Sequence, residues 1–514
     1  MKQVCAIACV CLLLCAALCG CTADDGRDSV FRLPIAGEPA QLDPQMAVDA
    51  TSKEVLSLLF EGLTRVGEDG AVYPAAADYT VSDDGLTYTF TLRESYWSTQ
   101  ADTDWETPVR VTAADFAFAV ARLQDPAQGS PSAQLADGLA VEAASEEQLV
   151  IRLKAPDEDL PRRLADPAFY PCNRAFFEST AGRYGLEKGT VLCNGAFYLQ
   201  AWNHGKSLLC NRNARYAAAA DIAPAAVRFV VTADEGAALL AEEVDIARVT
   251  AAEAAALGKG YTVTGVQDTV TALWFAGSDP LVGDSGIRAA LRDAIEWSTV
   301  SAQVAAGGDT PATGYLPDGC MLSGDIPYRT RTNSLPFVTR DTAIDTWRQA
   351  TARLGVTGAP RFEVLCADND ADKLLAQQVI QSWQRNLGVY CNVTAVPEAT
   401  LQRRVAAGDF QIALCDTVCA DQTAKGAFAA FTAQGDNPAG YTSAAFDALY
   451  AAAADRDSVE ALETQLWQDC PCVPLAFVTR YTAVAPDISG LRLRGFGGGR
   501  MGTVFDVRGA LRFD

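Results

Sequence analysis

The 514-residue chain contains a single histidine, His204. Proton shuttling by imidazole and metal sites built from several histidines therefore lack their raw material. His204 stands in Trp202-Asn203-His204-Gly205, a stretch that reads as an exposed turn. Runs of lysine or arginine are missing too: 41 basic residues face 64 acidic ones, for a net charge of -23. Nucleic acid binding needs a basic footprint, so no nucleic acid partner is expected. The acidity otherwise only keeps a surface solvated. Gly-x-Ser-x-Gly, His-Glu-x-x-His, phosphate-loop patterns and repeats of fixed period are absent as well. The expectation is a protein that is not an enzyme, with no catalytic residues, no metal site and no cofactor.

What is present begins with Lys2 and an apolar run from Val4 to Leu18. The run is short for a spanning helix and ends in small residues, which reads as an export signal; an uncleaved anchor helix is the alternative. Leu18-Cys19-Gly20-Cys21 resembles a bacterial lipoprotein lipobox. That resemblance implies a signal peptide over 1–20 and a diacylglyceryl group on Cys21, two acyl chains being enough for stable anchoring. Residues 21–29 would then be a polar tether.

Of sixteen cysteines, five lie in this signal, one is Cys21, and ten are scattered over the rest. Cys415/Cys419 and Cys470/Cys472 lack the paired Cys-x-x-Cys spacing of zinc sites, and a chain this large does not need cystines to fold. Most should be buried thiols acting as small hydrophobes. Cys193 and Cys210, flanking an apparent hairpin, are the best candidates for a disulfide.

With 49% apolar residues, the chain holds more than one compact core can use and should form two or three lobes. A strand is expected at Phe31–Ala36 and a helix from Asp49 to Leu63, with Val55, Leu56, Leu59 and Phe60 on one side. Tyr88, Phe90 and Leu92 alternate with polar residues after the Ser82-Asp83-Asp84-Gly85 turn, giving a strand with one buried face. Thr112 and Asp115 form a capping-box-like start for a helix through Leu123. A hairpin follows over Gly195–Cys210 and a strand over Ala226–Val231. From Arg361 the pattern alternates: strand 361–366, helix 371–386 carrying Leu374, Leu375, Val379, Ile380 and Trp383, strand 389–395, helix 399–407, strand 410–415. Such alternation signals a βαβ lobe with a partly parallel sheet.

Ligands of open α/β sheets bind beyond the carboxyl ends of the strands. Strand 410–415 would end there, followed by a loop from Asp416 through Thr417, Val418, Cys419 and Ala420 to Asp421. The two acids either cap the next helix, face solvent, or bind a cation; neither has a partner suited to acid-base catalysis.

In this order the chain resembles the family 5 extracellular solute-binding proteins, the oligopeptide- and dipeptide-binding components of ABC transporters. The likeness is carried by Glu38-Pro39 with Leu42-Asp43-Pro44, by Leu59-Phe60-Glu61-Gly62-Leu63, by Ser82 to Phe90 with Leu92-Arg93, by Trp97-Ser98 and by Val111 to Phe116. Weaker matches lie at Asn194 to Phe197, Asn213 to Tyr216, Ile287 to Ile295 and Tyr441 to Leu449. The resemblance implies an α/β, two-lobed periplasmic-binding-protein-like fold (class II, cluster C type) with an inserted third domain and a ligand cleft between lobes. It places lobe I over 30–60, 187–271 and 480–514, the inserted domain over 61–186 and lobe II over 272–479. It also implies an extended peptide ligand paired through its backbone, delivery to ABC transporter permease subunits, membrane attachment by lipid on the extracytoplasmic face, and a monomer. A peptide-signal (pheromone) receptor, or a protein for another solute such as a sugar or metal chelate, is the alternative.

Cys419-Ala420-Asp421 resembles the family stretch whose Asp pairs with the ligand's α-ammonium, which makes Asp421 the candidate anchor with Val418, Cys419 and Ala420 around it. A buried carboxylate gains a charge-assisted bond when an ammonium desolvates with it. Val418 departs from the family, which has Trp there, and Gln422 to Lys425 replace its acidic segment. The place of Trp274, Trp297, Trp347 and Trp383 relative to a pocket stays open.

Overall fold

The computed structural model describes residues 29–67, 72–98, 107–317, 319–323, 326–329, 340–419, 423–435, 437–493 and 505–513. The signal and Cys21 lie outside the described residues. Val30–Ile35 forms the first strand, burying Phe31, Leu33 and Ile35. It runs parallel to Ala226–Val231, with Val30 opposite Ala226. Ala226–Val231 pairs antiparallel with Ser207–Arg212, which folds back onto Phe197–Asn203. The turn between them carries Gly205 at φ +69°. The hairpin is thus displaced by two residues from the expected one, and the strand at 226–231 stands as read.

Helix Ala50–Leu59 starts where the Asp49 carboxylate accepts the Ser52 N–H at 2.8 Å, and it buries Val55, Leu56 and Leu59. Its apolar periodicity continues to Leu63, but the helix stops four residues earlier. The Leu59 carbonyl accepts the Gly195 N–H at 2.8 Å, and the Glu61 N–H goes to Asn194 Oδ1 at 3.1 Å. Backbone from residue 195 therefore takes the place of the next helical turn. The approach needs glycine: a Cβ on Gly195 would sit 2.7 Å from the Leu59 carbonyl carbon.

A second, antiparallel sheet joins Ala77–Val81, Thr87–Leu92, Gln148–Arg152 and Ala140–Ala143 in that order. Tyr88, Phe90 and Leu92 all point to its buried face, as their alternation requires. Helix Ala113–Gln124 covers it. The Asp115 carboxylate accepts from the Thr112 backbone at 2.8 Å and from its hydroxyl at 3.1 Å. One hydrophobic core runs unbroken from Phe31 through Phe90, Phe116 and Phe229 to Ala510, binding this sheet to the first. Arg122 reinforces the joint: it pairs with Asp43 at 2.6 Å, both side chains buried, and lies 4.0 Å from the Phe177 ring centroid.

The remaining architecture hangs on a larger sheet of seven strands among the described residues. Its order is Ile246–Val249, Cys472–Val484, Thr262–Phe275, Ile412–Val418, Arg361–Ala367, Tyr390–Val396, with Thr310–Pro311 on the side of Cys472–Val484. Period-two alternation divides each strand between two cores. Trp274, Leu365, Ala413 and Cys415 face one of them; Leu273, Phe275, Val364, Cys366, Ile412 and Leu414 face the other. The strands at 361–367, 390–396 and 412–418 are mutually parallel, connected by helices Asp370–Leu387 and Glu398–Ala406, so the βαβ reading holds. On the first of these helices Leu375, Val379 and Trp383 are buried at four-residue spacing, whereas Leu374, one step around the helix, is exposed rather than in the core.

Strands Thr262–Phe275 and Cys472–Val484 are 14 and 13 residues long and do two jobs. At one end Val484 to Tyr481 pair with Ile246–Val249; at the other, Thr269–Phe275 pair with Val418–Ile412. We refer to them as the crossing strands. Their mutual register shifts between Gln267 and Thr269, leaving Asp268 as a bulge.

The ten cysteines outside the signal region are all free thiols, nine of them buried. The expected Cys193–Cys210 bridge is therefore not made. Cys193 lies upstream of the hairpin rather than on it, and burial pushes its thiol up to about 12, with contacts to the Leu199 backbone and Ser98 pulling the other way. A thiol that does not ionise is a poor partner for disulfide exchange.

Candidate functional site

The large sheet presents the carboxyl ends of three parallel strands at one edge, the place where open α/β sheets bind ligands. Strand Ile412–Val418 runs three residues further than its pattern suggested. Asp416, Thr417 and Val418 are thus its last residues, not a loop, and face Thr271, Val270 and Thr269 on a crossing strand. Antiparallel pairing with a long neighbour extended the strand beyond its apolar stretch.

The Asp416 carboxylate accepts the Thr271 hydroxyl at 2.5 Å. The residue is exposed, yet loss of solvation pushes its carboxyl above the ordinary carboxylate range; the Thr271 bond and Arg480 oppose this and Glu398 adds to it. Three more acids interact electrostatically with Asp416. Asp372, in the first turn of the helix after Arg361–Ala367, is raised to about 6 by burial, with Asn369 opposing and Asp416 and Glu398 adding. Glu398 opens the helix after Tyr390–Val396. Asp309, beside Thr310–Pro311, is raised by burial and by Asp416, against a bond from the Thr479 N–H. We refer to these four acids, coupled through Asp416, as the acidic wall.

Val418 is 47% exposed, an uncovered apolar side chain at the rim of that wall. Cys419 is buried, and its N–H donates to the Asp268 carbonyl at 2.7 Å. Ala420 and Asp421 lie outside the described residues. Asp268 is fully buried and ion-paired with Arg480, whose Nε donates to Oδ1 at 2.8 Å. The structure thus joins Cys419 to Asp268 and Arg480, and couples Asp309, Asp372 and Glu398 to Asp416; of these acids and Arg480, only Asp416 was singled out from the sequence. The rule that led to strand 410–415 applies equally to the ends of the strands at 361–366 and 389–395, and would have found Asp372 and Glu398. Asp268 carried no such signal, because a bulge leaves the apolar pattern of its strand intact.

Three of the tryptophans have packing or hydrogen-bond partners in the structure. Trp274 stacks on Phe431 with ring centroids 5.8 Å apart, Trp347 packs edge-on against Phe362, and Trp383 is fully buried with its Nε1 donating to the Leu291 carbonyl at 2.7 Å. His204 is half exposed in its turn, between Glu38 and Glu187 and against the Trp202 ring. Among the described residues no three His, Cys, Asp or Glu side chains are grouped to hold a metal ion, and no helix is long and apolar enough to cross a membrane.

A two-lobed α/β fold with crossing strands and an acid-lined strand edge defines a binding protein. The family model described as bacterial extracellular solute-binding proteins, family 5 Middle, matches residues 71–438. The chain belongs to that family and is a binding protein rather than an enzyme. It is 24% identical to the dipeptide-binding protein of Lactococcus lactis subsp. cremoris, across 93% of this chain and 94% of that one. It is 25% identical to the periplasmic murein peptide-binding protein of Escherichia coli, across 89% of each. A 30% identical match to the dipeptide-binding protein DppE of Bacillus subtilis spans only 39% of this chain and 41% of that protein. Among solved structures, peptide-bound OppA of Listeria monocytogenes superposes with a TM-score of 0.73 at 21% identity, covering 95% of this chain and 99% of that one. The pheromone receptor PrgZ gives 0.73 at 22% identity, covering 95% and 100%.

Proposed function

We propose that this chain binds peptides between its two lobes and delivers them to the permease of an ABC importer, while a lipid on Cys21 holds it at the extracytoplasmic face of the membrane. The acidic wall carries the reading. Asp309, Asp372 and Glu398 are each coupled to Asp416 near the strand ends, and Arg480, which also acts on Asp416, is ion-paired with Asp268. Such a wall suits a cationic group, and every peptide with a free N-terminus carries one. Relatives named for dipeptides, murein peptides and oligopeptides support the same choice. Lobe I is assigned to 30–60, 187–271 and 480–514, the inserted domain to 61–186 and lobe II to 272–479. Closure then pivots on the crossing strands, and the protein works as a monomer.

Asp421, two residues after Cys419 in the sequence, is the proposed anchor for the α-ammonium. Val418, where the family has an aromatic residue, leaves the adjoining pocket wider. The test is thermal unfolding of residues 27–514, refolded to strip bound solute, with pooled di- to hexapeptides against sugars and nickel. Ligand at about 100 times its Kd adds about 2.7 kcal/mol. Stabilisation by peptides alone supports the reading; stabilisation by sugars or nickel alone, or by none of the three, refutes it. The likeness to a pheromone receptor favours a second reading, signalling without uptake. Accumulation of labelled peptide by cells carrying the gene, lost on its deletion, decides for transport.

A further inference from the structure

The crossing strands pair with each other on both sides of Asp268, but their outer neighbours differ on the two sides. Thr262–Gln267 pair with Val484–Thr479 in the part of the sheet that also holds Ile246–Val249. Thr269–Phe275 pair with Val418–Ile412 in the part that holds the acidic wall. Asp268, between them, is the bulge. A bulge bends its strand and releases backbone groups from the ladder, so it marks where the sheet can flex between its two halves. Here the released carbonyl is taken by the Cys419 N–H at 2.7 Å, the first residue past the wall strand.

The Asp268 side chain is fixed as firmly as its backbone. It has no exposed surface; one oxygen accepts the Thr269 hydroxyl at 2.9 Å and the Arg480 Nε at 2.8 Å, and the other accepts Arg480 Nη2. Arg480 lies on the opposite crossing strand, in register with Val266, and is 27% exposed. A fully buried carboxylate depends strongly on its counter-charge, and the bidentate fork of an arginine fixes direction as well as distance. The same guanidinium also acts on Asp416 across the sheet. One ion pair thus locks the two crossing strands together at the bulge, and the bulge holds Cys419, the residue that follows the wall strand.

We infer that Arg480 is a positioning residue: through Asp268 it holds the segment 416–419 in place for ligand and ties that segment to the hinge of the sheet. The inference rests on the peptide-binding reading for the identity of the ligand, but not for the anchoring itself. Seating of a ligand against this segment then bears on the bulge, and through Arg480 on the strand that continues into lobe I.

The experiment compares the full chain with the double variant Asp268→Asn/Arg480→Gln, which removes the buried charge together with its partner, and with Arg480→Lys, which keeps a cation but not the fork. Without ligand, amide hydrogen exchange at residues 416–419 is expected to speed up at least tenfold in the double variant and to be partly restored in the Lys variant, while 361–367 exchange as before. With tri-lysine as probe, the double variant is expected to bind at least tenfold more weakly and to show a smaller fall in radius of gyration by X-ray scattering. Unchanged exchange at 416–419, equal acceleration at 361–367, or unchanged affinity in the double variant overturns the inference. If the wild-type chain itself ignores tri-lysine and all other peptides, the peptide reading fails, and the ligand-free exchange still decides whether Arg480 anchors the segment.

Discussion

The Thr271 hydroxyl donates to the Asp416 carboxylate at 2.5 Å, across the junction of a crossing strand and the wall strand. It opposes the loss of solvation that raises Asp416, as does Arg480.

This gives the binding site a pH dependence. Asp372 is raised to about 6, and Asp309 and Asp416 are raised as well. As pH falls from 7.5 to 5 Asp372 takes up a proton, and Asp309 and Asp416 do so at higher pH than ordinary carboxylates, so the wall loses charge. Affinity for tri-lysine is expected to drop several-fold over that range, and affinity for tri-alanine less. Calorimetric titrations at the two pH values check it, and equal affinities would show that the wall does not meet the ligand.

Folding stability should carry a related signature, read at Asp115. Burial raises this carboxyl to about 6, so the folded chain holds a proton that the unfolded chain releases near the ordinary value. Its contribution therefore grows as pH falls from about 7 toward 4 and is lost as pH rises through 6. At 1.36 kcal/mol per pKa unit the effect is on the order of 3 kcal/mol. Denaturation of wild type and Asp115→Asn at pH 5 and pH 8 should give the wild type the larger loss on going to high pH. Parallel losses would be inconsistent with a protonated Asp115.

Asp421→Ala should weaken peptide binding by roughly 2 to 5 kcal/mol if the ammonium pair is buried, with unfolding unchanged. An unaltered Kd would remove Asp421 from the site. Val418→Trp, at an exposed strand end, is expected to leave stability within about 0.5 kcal/mol and to narrow the range of side chains accepted next to the anchor.

Gly195→Ala tests the helix stop. Its Cβ would meet the Leu59 and Phe60 backbone at 2.7 Å, and backbone cannot rotate away. A loss of about 1 to 3 kcal/mol is expected, as for other overpacked sites. A neutral substitution would mean that the 59–195 contact is looser than its 2.8 Å hydrogen bond suggests.

Cys21→Ser should release the protein from membranes into the surrounding medium or periplasm. Persistent membrane association of the variant would rule out the lipid anchor.

The elements most legible from sequence were those whose pattern is local. Tyr88, Phe90 and Leu92 report their face by alternation alone, and Thr112 with Asp115 announces a helix start in four residues. The βαβ alternation after Arg361 likewise needs no distant information. Errors arose where a distant segment decided the outcome: Gly195 ended the helix at Leu59, and Thr269–Thr271 drew Asp416 to Val418 into a strand. The site was half legible for the same reason. Its position at a strand end follows from fold class, but the pairing of Asp268 with Arg480 joins residues 212 apart, and no spacing in the sequence encodes it.

The unbroken core from Phe31 to Ala510 makes the inserted sheet a poor module. Helix Ala113–Gln124 is anchored through Arg122 to Asp43 and shares its apolar partners with the first sheet, so excising 61–186 would strip the interior of what remains. The two four-stranded sheets that share this core should consequently melt in one cooperative step, and exchange of the antiparallel sheet between relatives would need the Asp43 side of the joint to travel with it.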